Sequence, residues 1–255
     1  MKPDYTPTEL LATVAASLLE DGKSVFVGTG LPMIAAMLAQ RTRAPNLVII
    51  FEAGGVGPRV PVLPISVGDS RTFYRAAAAS SMHDVMSLSQ SGYIDYGFLG
   101  AAMIDPYGNI NTTVIGEHDH PSARLPGSGG ANDVSSFSWR TIIMMRQEKR
   151  RFLPKVDFIT TPGYLNGPGA REKAGLSAGT GPFRVITQLG LYGFDDTTKK
   201  LKLLAVHPGI TVEQIQEASG FEIPVAEQLE TTKPPTAEER RLLHEIDPRG
   251  IAIGK

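Results

Sequence analysis

The chain has 255 residues, 42% hydrophobic and 20% charged, with a formal net charge of -1 at pH 7. That length can bury a sizeable core, as one large domain or two small ones, and the near-neutral charge gives no electrostatic grip on nucleic acid or an anionic membrane. There is no cysteine, which excludes a disulfide framework, a thiolate metal site and a cysteine nucleophile.

The N-terminus, Met1-Lys2-Pro3-Asp4-Tyr5, is polar, lacks the apolar core of a signal peptide and leads into Thr6-Pro7-Thr8-Glu9, a capping box with proline at the first helical position. Leu10, Leu11, Val14, Ala15, Leu18 and Leu19 follow at helical spacing, and Gly22 is the expected stop. Ser24–Val27 reads as a short buried strand. Gly28-Thr29-Gly30-Leu31-Pro32 then turns the chain into a helix over about 31–41. Leu47–Phe51 is a continuous apolar run, as in a strand covered on both faces. Helix, strand, helix, strand in that order predicts an α/β fold with an open, mostly parallel sheet flanked by helices.

Residues 54–67 are rich in Gly and Pro and read as irregular. Tyr96–Ala101 is a strand candidate, and Asp105-Pro106-Tyr107-Gly108-Asn109 a turn cluster. Residues 116–133 form a long Gly, Pro, His and Asp stretch, and loops of that length tend to be functional or disordered. Thr141–Met145 and Val156–Thr160 are further strand candidates. Val185–Leu189, Leu191–Phe194 and Leu201–Val206 form a β meander whose last turn is Asp195-Asp196-Thr197-Thr198. Capped helices are expected from Thr211 with Gln214 and from Thr236 with Glu239, joined by Lys233-Pro234-Pro235. The pattern predicts one domain over 1–255 with a C-terminal helical extension from about 211. No apolar run approaches a membrane span, and the expected location is the cytoplasm.

Several familiar devices are absent. Met33 stands where a dinucleotide fingerprint after Gly28 and Gly30 needs its third glycine, and no Gly-Lys-Ser/Thr P-loop occurs. No tyrosine is followed four residues later by lysine, and Pro126 spoils a nucleophile elbow around Ser128.

Glu52 stands directly after an apolar strand and before Ala53-Gly54-Gly55. Ligands of open α/β sheets gather at the carboxyl ends of the strands, and glycines there let a ligand approach the backbone. The alternative is a glutamate that merely leaves the core. Gly127-Ser128-Gly129-Gly130-Ala131-Asn132-Asp133 can present unhindered N–H groups to a negative oxygen, or be a flexible loop. Gly28–Pro32 can hold an anion at a helix N-terminus, or be an ordinary strand-to-helix turn. As a set they suit acyl transfer. A carboxylate, ionised at neutral pH, can attack a thioester without a general base if N–H donors stabilise the oxyanion.

These segments resemble class I CoA-transferases. Gly28–Pro32 is similar to their GxGxP segment, Glu52-Ala53-Gly54 to their catalytic glutamate segment, and Gly127–Asp133 to their glycine-rich loop. The resemblance is strongest to β subunits of the glutaconate type. It runs in order through Ile104–Asn111, Ile142–Met145, Glu148–Phe152, Pro162-Gly163-Tyr164 and Gly167-Pro168-Gly169 to Ile246-Asp247-Pro248.

The resemblance implies the CoA-transferase fold and CoA transfer between an acyl-CoA and a free, dicarboxylic acid such as glutaconate. A glutamyl-CoA thioester on Glu52 would be the intermediate, with oxyanions held near Gly30 and near Gly129 or Gly130. It implies Gly28, Thr29, Leu31, Ala53, Gly54, Ser128 and Ala131 as substrate or CoA contacts. No metal and no permanent cofactor are implied, since coenzyme A is a substrate. The implied partner is an α subunit, in an αβ heterodimer assembled as (αβ)2 or larger. The chain departs from the pattern at Ala53 and in 55–61, which leaves acyl specificity open. Relatives on the same fold are acyl-CoA hydrolases or glutaconyl-CoA-type decarboxylases, which replace the glutamate; a non-catalytic binding subunit is the third reading.

Three further features have two readings each. Arg59 could pair a distal substrate carboxylate or be a surface arginine. His118-Asp119-His120 could line the cleft or hold a metal, although alternating loop residues make a poor site. Glu148-Lys149-Arg150-Arg151 could attract CoA phosphates or form a solvated or subunit-facing surface. Trp139 and Met144-Met145 are expected in the core, and His207-Pro208-Gly209 as a turn after a strand.

Overall fold

The computed structural model of the chain describes residues 4–254. Its elements run α1 (Pro7–Ser17), β1 (Ser24–Val27), α2 (Leu31–Arg41), β2 (Val48–Phe51), β3 (Gly55–Val56), a 3-10 turn (Ser70–Phe73), β4 (Ala78–Ala79), α3 (Met82–Gln90) and β5 (Tyr96–Gly100). Next come the short strands β6 (Met103–Ile104), β7 (Ile110–Asn111), β8 (Val114–Ile115) and β9 (Ala123–Arg124), then α4 (Ala131–Phe137), β10 (Arg140–Met144) and α5 (Ala170–Lys173). The chain ends with β11 (Pro182–Ile186), β12 (Gly190–Phe194), β13 (Leu201–Val206), α6 (Val212–Glu217), β14 (Val225–Thr231) and α7 (Ala237–Ile246). Two compact units result, one of residues up to Phe98 with those from Lys233 on, the other of Leu99–Thr232.

In the first unit β1 is central, parallel to β2 on one side and β5 on the other. Every β1 side chain is buried, as its apolar run requires. β2 passes to antiparallel β3 and β4. The capping box starts α1, with Glu9 N–H donating to Thr6 Oγ1 at 3.1 Å and Thr6 N–H to Glu9 Oε2 at 2.7 Å. The helix ends at Ser17 with Leu18 as cap, one turn before Gly22. α2 is buried from Met33 to Ala39 without a break, because α1 and α7 pack against it beside β1.

In the second unit β10 and β11 run parallel, β11–β12–β13 form the expected meander, and β14 adds parallel to β13. β13 alternates buried and half-buried side chains, so one face carries the core. The chain is therefore α/β, with mixed sheet pairing.

Three expectations need correction. Val156–Thr160 is not a strand: only Thr160 and Thr161 bond to Ile110. Among the described residues the N–H groups of 156–159 meet no neighbouring strand, so no ladder extends past the Ile110 bridge. Residues 211–255 do not form one helical extension, since β14 separates α6 in the second unit from α7 in the first. Trp139 is 44% exposed rather than core, just outside α4, whereas Met144 and Met145 are buried.

Candidate active site

β1 and β2 end in step, with Val27 opposite Phe51 as the last pair. Gly28 and Glu52 therefore leave the sheet side by side at its carboxyl edge, and the structure brings Gly28–Leu31 and Glu52–Gly54 together there. Glu52 is half-buried in a turn closed by Gly54 N–H donating to Phe51 O at 2.9 Å. Among the described residues no hydrogen-bond donor or cation engages its carboxylate. Gly30 has φ 80° and ψ -135°, a conformation that needs glycine, and caps α2. Beside both Gly28 and Gly30 the space where a side chain would stand is open. The N–H groups of Thr29 and Gly30 have no partner among the described residues.

Gly54 and Gly55 are glycines for another reason than the ligand access expected of them. A Cβ on Gly54 would lie 1.9 Å from Ser80 O, and one on Gly55 would lie 2.2 Å from Thr72 O. The Ser80 N–H and hydroxyl both donate to Gly54 O at 3.0 Å. The chain's own 72–80 segment occupies that side of the turn and supports the Glu52 bend from behind. Ala53 is half-buried.

The loop Gly127–Ala131 lies in the second unit. Gly127 N–H donates to Thr112 O, and Thr112 Oγ1 donates back to Gly127 O, both at 2.8 Å. Ala131 N–H closes the turn onto Ser128 O at 2.8 Å and opens α4. Asn132 Nδ2 donates to Thr160 O at 2.9 Å. Among the described residues the N–H groups of Ser128, Gly129 and Gly130 remain unpaired. Gly129, with φ 49°, is exposed and open where a side chain would stand.

Of the other candidates, exposed Arg59 donates to Pro45 O at 2.7 Å, as a surface arginine does. His118 stacks on Phe158 and pairs with Asp119 in an exposed hairpin. Glu148 collects Arg146, Arg150 and Arg151 at 3.0, 2.8 and 3.4 Å. His207 does precede a turn, but its ring is buried between Thr187 O at 2.8 Å and Thr232 Oγ1 at 2.7 Å. Burial holds it below the usual histidine range.

Two buried groups were not among the candidate site residues. Asp105 accepts from Tyr107 N–H, Asn109 N–H and Asn109 Nδ2 at 2.9, 3.1 and 2.8 Å, yet burial outweighs these bonds and pushes it up to about 6. Asn109 in turn accepts from Gly163 and Leu165 N–H and so ties two turns together. Arg171, 2% exposed, donates to Pro162 O, Gly163 O, Ser135 O and Thr180 Oγ1. The turn cluster at 105–109 was a signal for the first; nothing in the local pattern around Arg171 pointed to the second.

An unengaged carboxylate beside free backbone donors can attack an acyl carbonyl and have the resulting oxyanion held. Comparison with known proteins fits this chemistry. The family model for coenzyme A transferase matches residues 8–218. The chain is 40% identical over 250 residues to the β subunit of glutaconate CoA-transferase from Acidaminococcus fermentans, covering 96% of this chain and 94% of that one. It is 39% identical over 249 residues to the β subunit of 3-oxoadipate CoA-transferase from Pseudomonas knackmussii, covering 97% and 95%. The crystal structure of glutaconate coenzyme A-transferase from Acidaminococcus fermentans superposes with a TM-score of 0.94 at 37% identity, over 99% of this chain and 98% of that one. Glu52 and its neighbouring glycines thus sit in a chain that belongs to the coenzyme A transferase family, as a class I β subunit.

Proposed function

We propose that the chain, with an α subunit, moves CoA between an acyl-CoA and a free dicarboxylic acid through Glu52. The observation that carries this is the unengaged Glu52 carboxylate at the carboxyl edge of β1 and β2, beside the open Gly28–Leu31 turn. Glu52 attacks the acyl carbonyl and expels CoA thiolate, giving an acyl-glutamyl anhydride. The thiolate attacks the glutamyl carbonyl, releasing the first acid and leaving a glutamyl-CoA thioester. The acceptor carboxylate then takes the CoA by the reverse steps, and Glu52 is regenerated. Backbone N–H groups at Gly30 and at Gly129 or Gly130 hold the oxyanions. Gly28, Thr29, Leu31, Ala53, Ser128 and Ala131 make the remaining substrate or CoA contacts, while Gly54, packed against Ser80 O, shapes the turn instead.

A dicarboxylic acid is supported by the names of the two relatives, since glutaconate and 3-oxoadipate both carry two carboxylates. An α partner is supported because both relatives are β subunits, and we take the assembly as (αβ)2 or larger. Coenzyme A enters as substrate, and the cysteine-free chain suits a reducing cytoplasm.

The test is Glu52→Gln in the complex purified with its partner. Transfer is expected to fall by at least about 10³-fold with assembly intact. Near-normal transfer by the variant would remove Glu52 from the mechanism.

A further inference from the structure

We infer that Arg171 is a positioning residue that holds α4, and through it the Ser128–Gly130 donors, in the geometry CoA transfer needs. The inference rests on the reading above, in which that loop holds an oxyanion.

α4 has seven residues. A helix of two turns has almost no stability of its own, so outside bonds decide where it sits. Its front is pinned twice, by the Thr112–Gly127 pair and by Asn132 to Thr160 O. Its rear is held by Arg171, whose Nη2 donates to Ser135 O at 3.1 Å and to Thr180 Oγ1 at 3.0 Å. The other arm, Nη1, donates to Pro162 O at 2.9 Å and Gly163 O at 2.8 Å. Ser135 O is among the carbonyls a helix end leaves unpaired, and a cation there also suits the helix dipole.

The cost of this arrangement argues for a purpose beyond stability. Arg171 is 2% exposed, and among the described residues no carboxylate forms an ion pair with it. Its Nε has no hydrogen-bond partner and faces Gly181, where a Cβ would stand 3.3 Å away. A buried charge without a contacting ion-pair partner is expensive, and apolar packing is often no worse for stability. What apolar packing cannot supply is a rigid planar fork that fixes the directions of acceptors on three separate segments. Those segments are α4, the 162–163 turn and the stretch before β11, all in one compact unit.

The experiment compares variants in the complex with its partner, reading kcat, KM for acyl-CoA and Tm together. Arg171→Lys keeps the cation but not the fork. It is expected to lower kcat by about tenfold or more while KM changes by less than about threefold. Tyr192→Phe removes another buried bond of the same unit, to Gln147, and is expected to lower Tm with kcat unchanged. Should Arg171→Lys not fold, Thr180→Val, which deprives the guanidinium of one acceptor, is read by the same comparison, with a smaller fall in kcat expected. A kcat that follows Tm alike in the Arg171 (or Thr180) and Tyr192 variants would overturn the inference. Glu52→Gln in the same series separates the two claims. If it is inactive while Arg171→Lys keeps parental kcat, only the positioning role fails; if it keeps near-normal transfer, the reading beneath fails.

Discussion

Around Glu52 the glycines divide by what stands opposite their α-carbons. Gly54 and Gly55 face the Ser80 and Thr72 carbonyls within 2.2 Å of where a Cβ would be, whereas Gly28 and Gly30 face open space. The first pair shapes the turn and the second leaves room for a ligand. Gly54, with φ 113°, is also a conformation that penalises any side chain. Gly54→Ala is therefore expected to cost about 3 kcal/mol or more, a Tm loss of roughly 6–12 °C for a chain of this size. Gly28→Ala should leave Tm within about 2 °C and lower turnover instead. Thermal melts and assays of both variants check this, and the reverse assignment of the two losses would contradict it. The place of Glu52 directly after β2 was legible in the sequence because the apolar strand, the carboxylate and Gly54-Gly55 are contiguous. The division of labour among the glycines was not, because it depends on residues 72 and 80 returning from far along the chain. Arg171 was illegible for a related reason: three of its four partners are backbone carbonyls, and any residue has one.

Elements with strong local chemistry were readable almost to the residue. β1 and α2 stand where the apolar run and the Gly28–Pro32 turn put them, and the boxes at Thr211 with Gln214 and Thr236 with Glu239 start α6 and α7. β14 was missed because its side chains are mostly exposed and carry no clean alternation; it exists by pairing with β13. Val156–Thr160 misled in the opposite sense, being apolar enough for a strand but lacking a partner strand. The turn at 105–109 was visible, but its titration depends on burial that only the fold supplies. Because Asp105 is pushed up to about 6 from the ordinary 3.8, the folded chain binds its proton where the unfolded chain does not. Its contribution to stability therefore grows as pH falls from 7 towards 4. His207, held low by burial, has the opposite sign over the lower part of that range, since its unfolded form takes up the proton first. Comparison with Asp105→Asn isolates the aspartate. The stability of the parent relative to the variant should rise between pH 7 and pH 5, by about 1 kcal/mol. A pH-independent difference in denaturant melts would show that Asp105 stays ionised.

At the scale of the whole molecule, composition bounded the answer before any motif was considered. The balanced composition pointed to a globular chain, and the alternating helices and strands to an α/β fold, with which the family match over residues 8–218 agrees. What composition could not convey is that the C-terminal residues from Lys233 on rejoin the first unit while α6 and β14 stay with the second. That return buries Leu242, Leu243 and Ile246 of α7. Long-range returns of this kind leave no local trace, because each helix is amphipathic whichever surface it meets. The central claim, a covalent CoA transfer through Glu52, is tested most directly by mass spectrometry. The complex of this chain with its α partner is incubated with glutaconyl- or glutaryl-CoA without an acceptor acid, digested and mapped. A CoA adduct on the peptide containing Glu52 is expected; an unmodified Glu52 peptide with free CoA or carbon dioxide accumulating would contradict covalent transfer through Glu52.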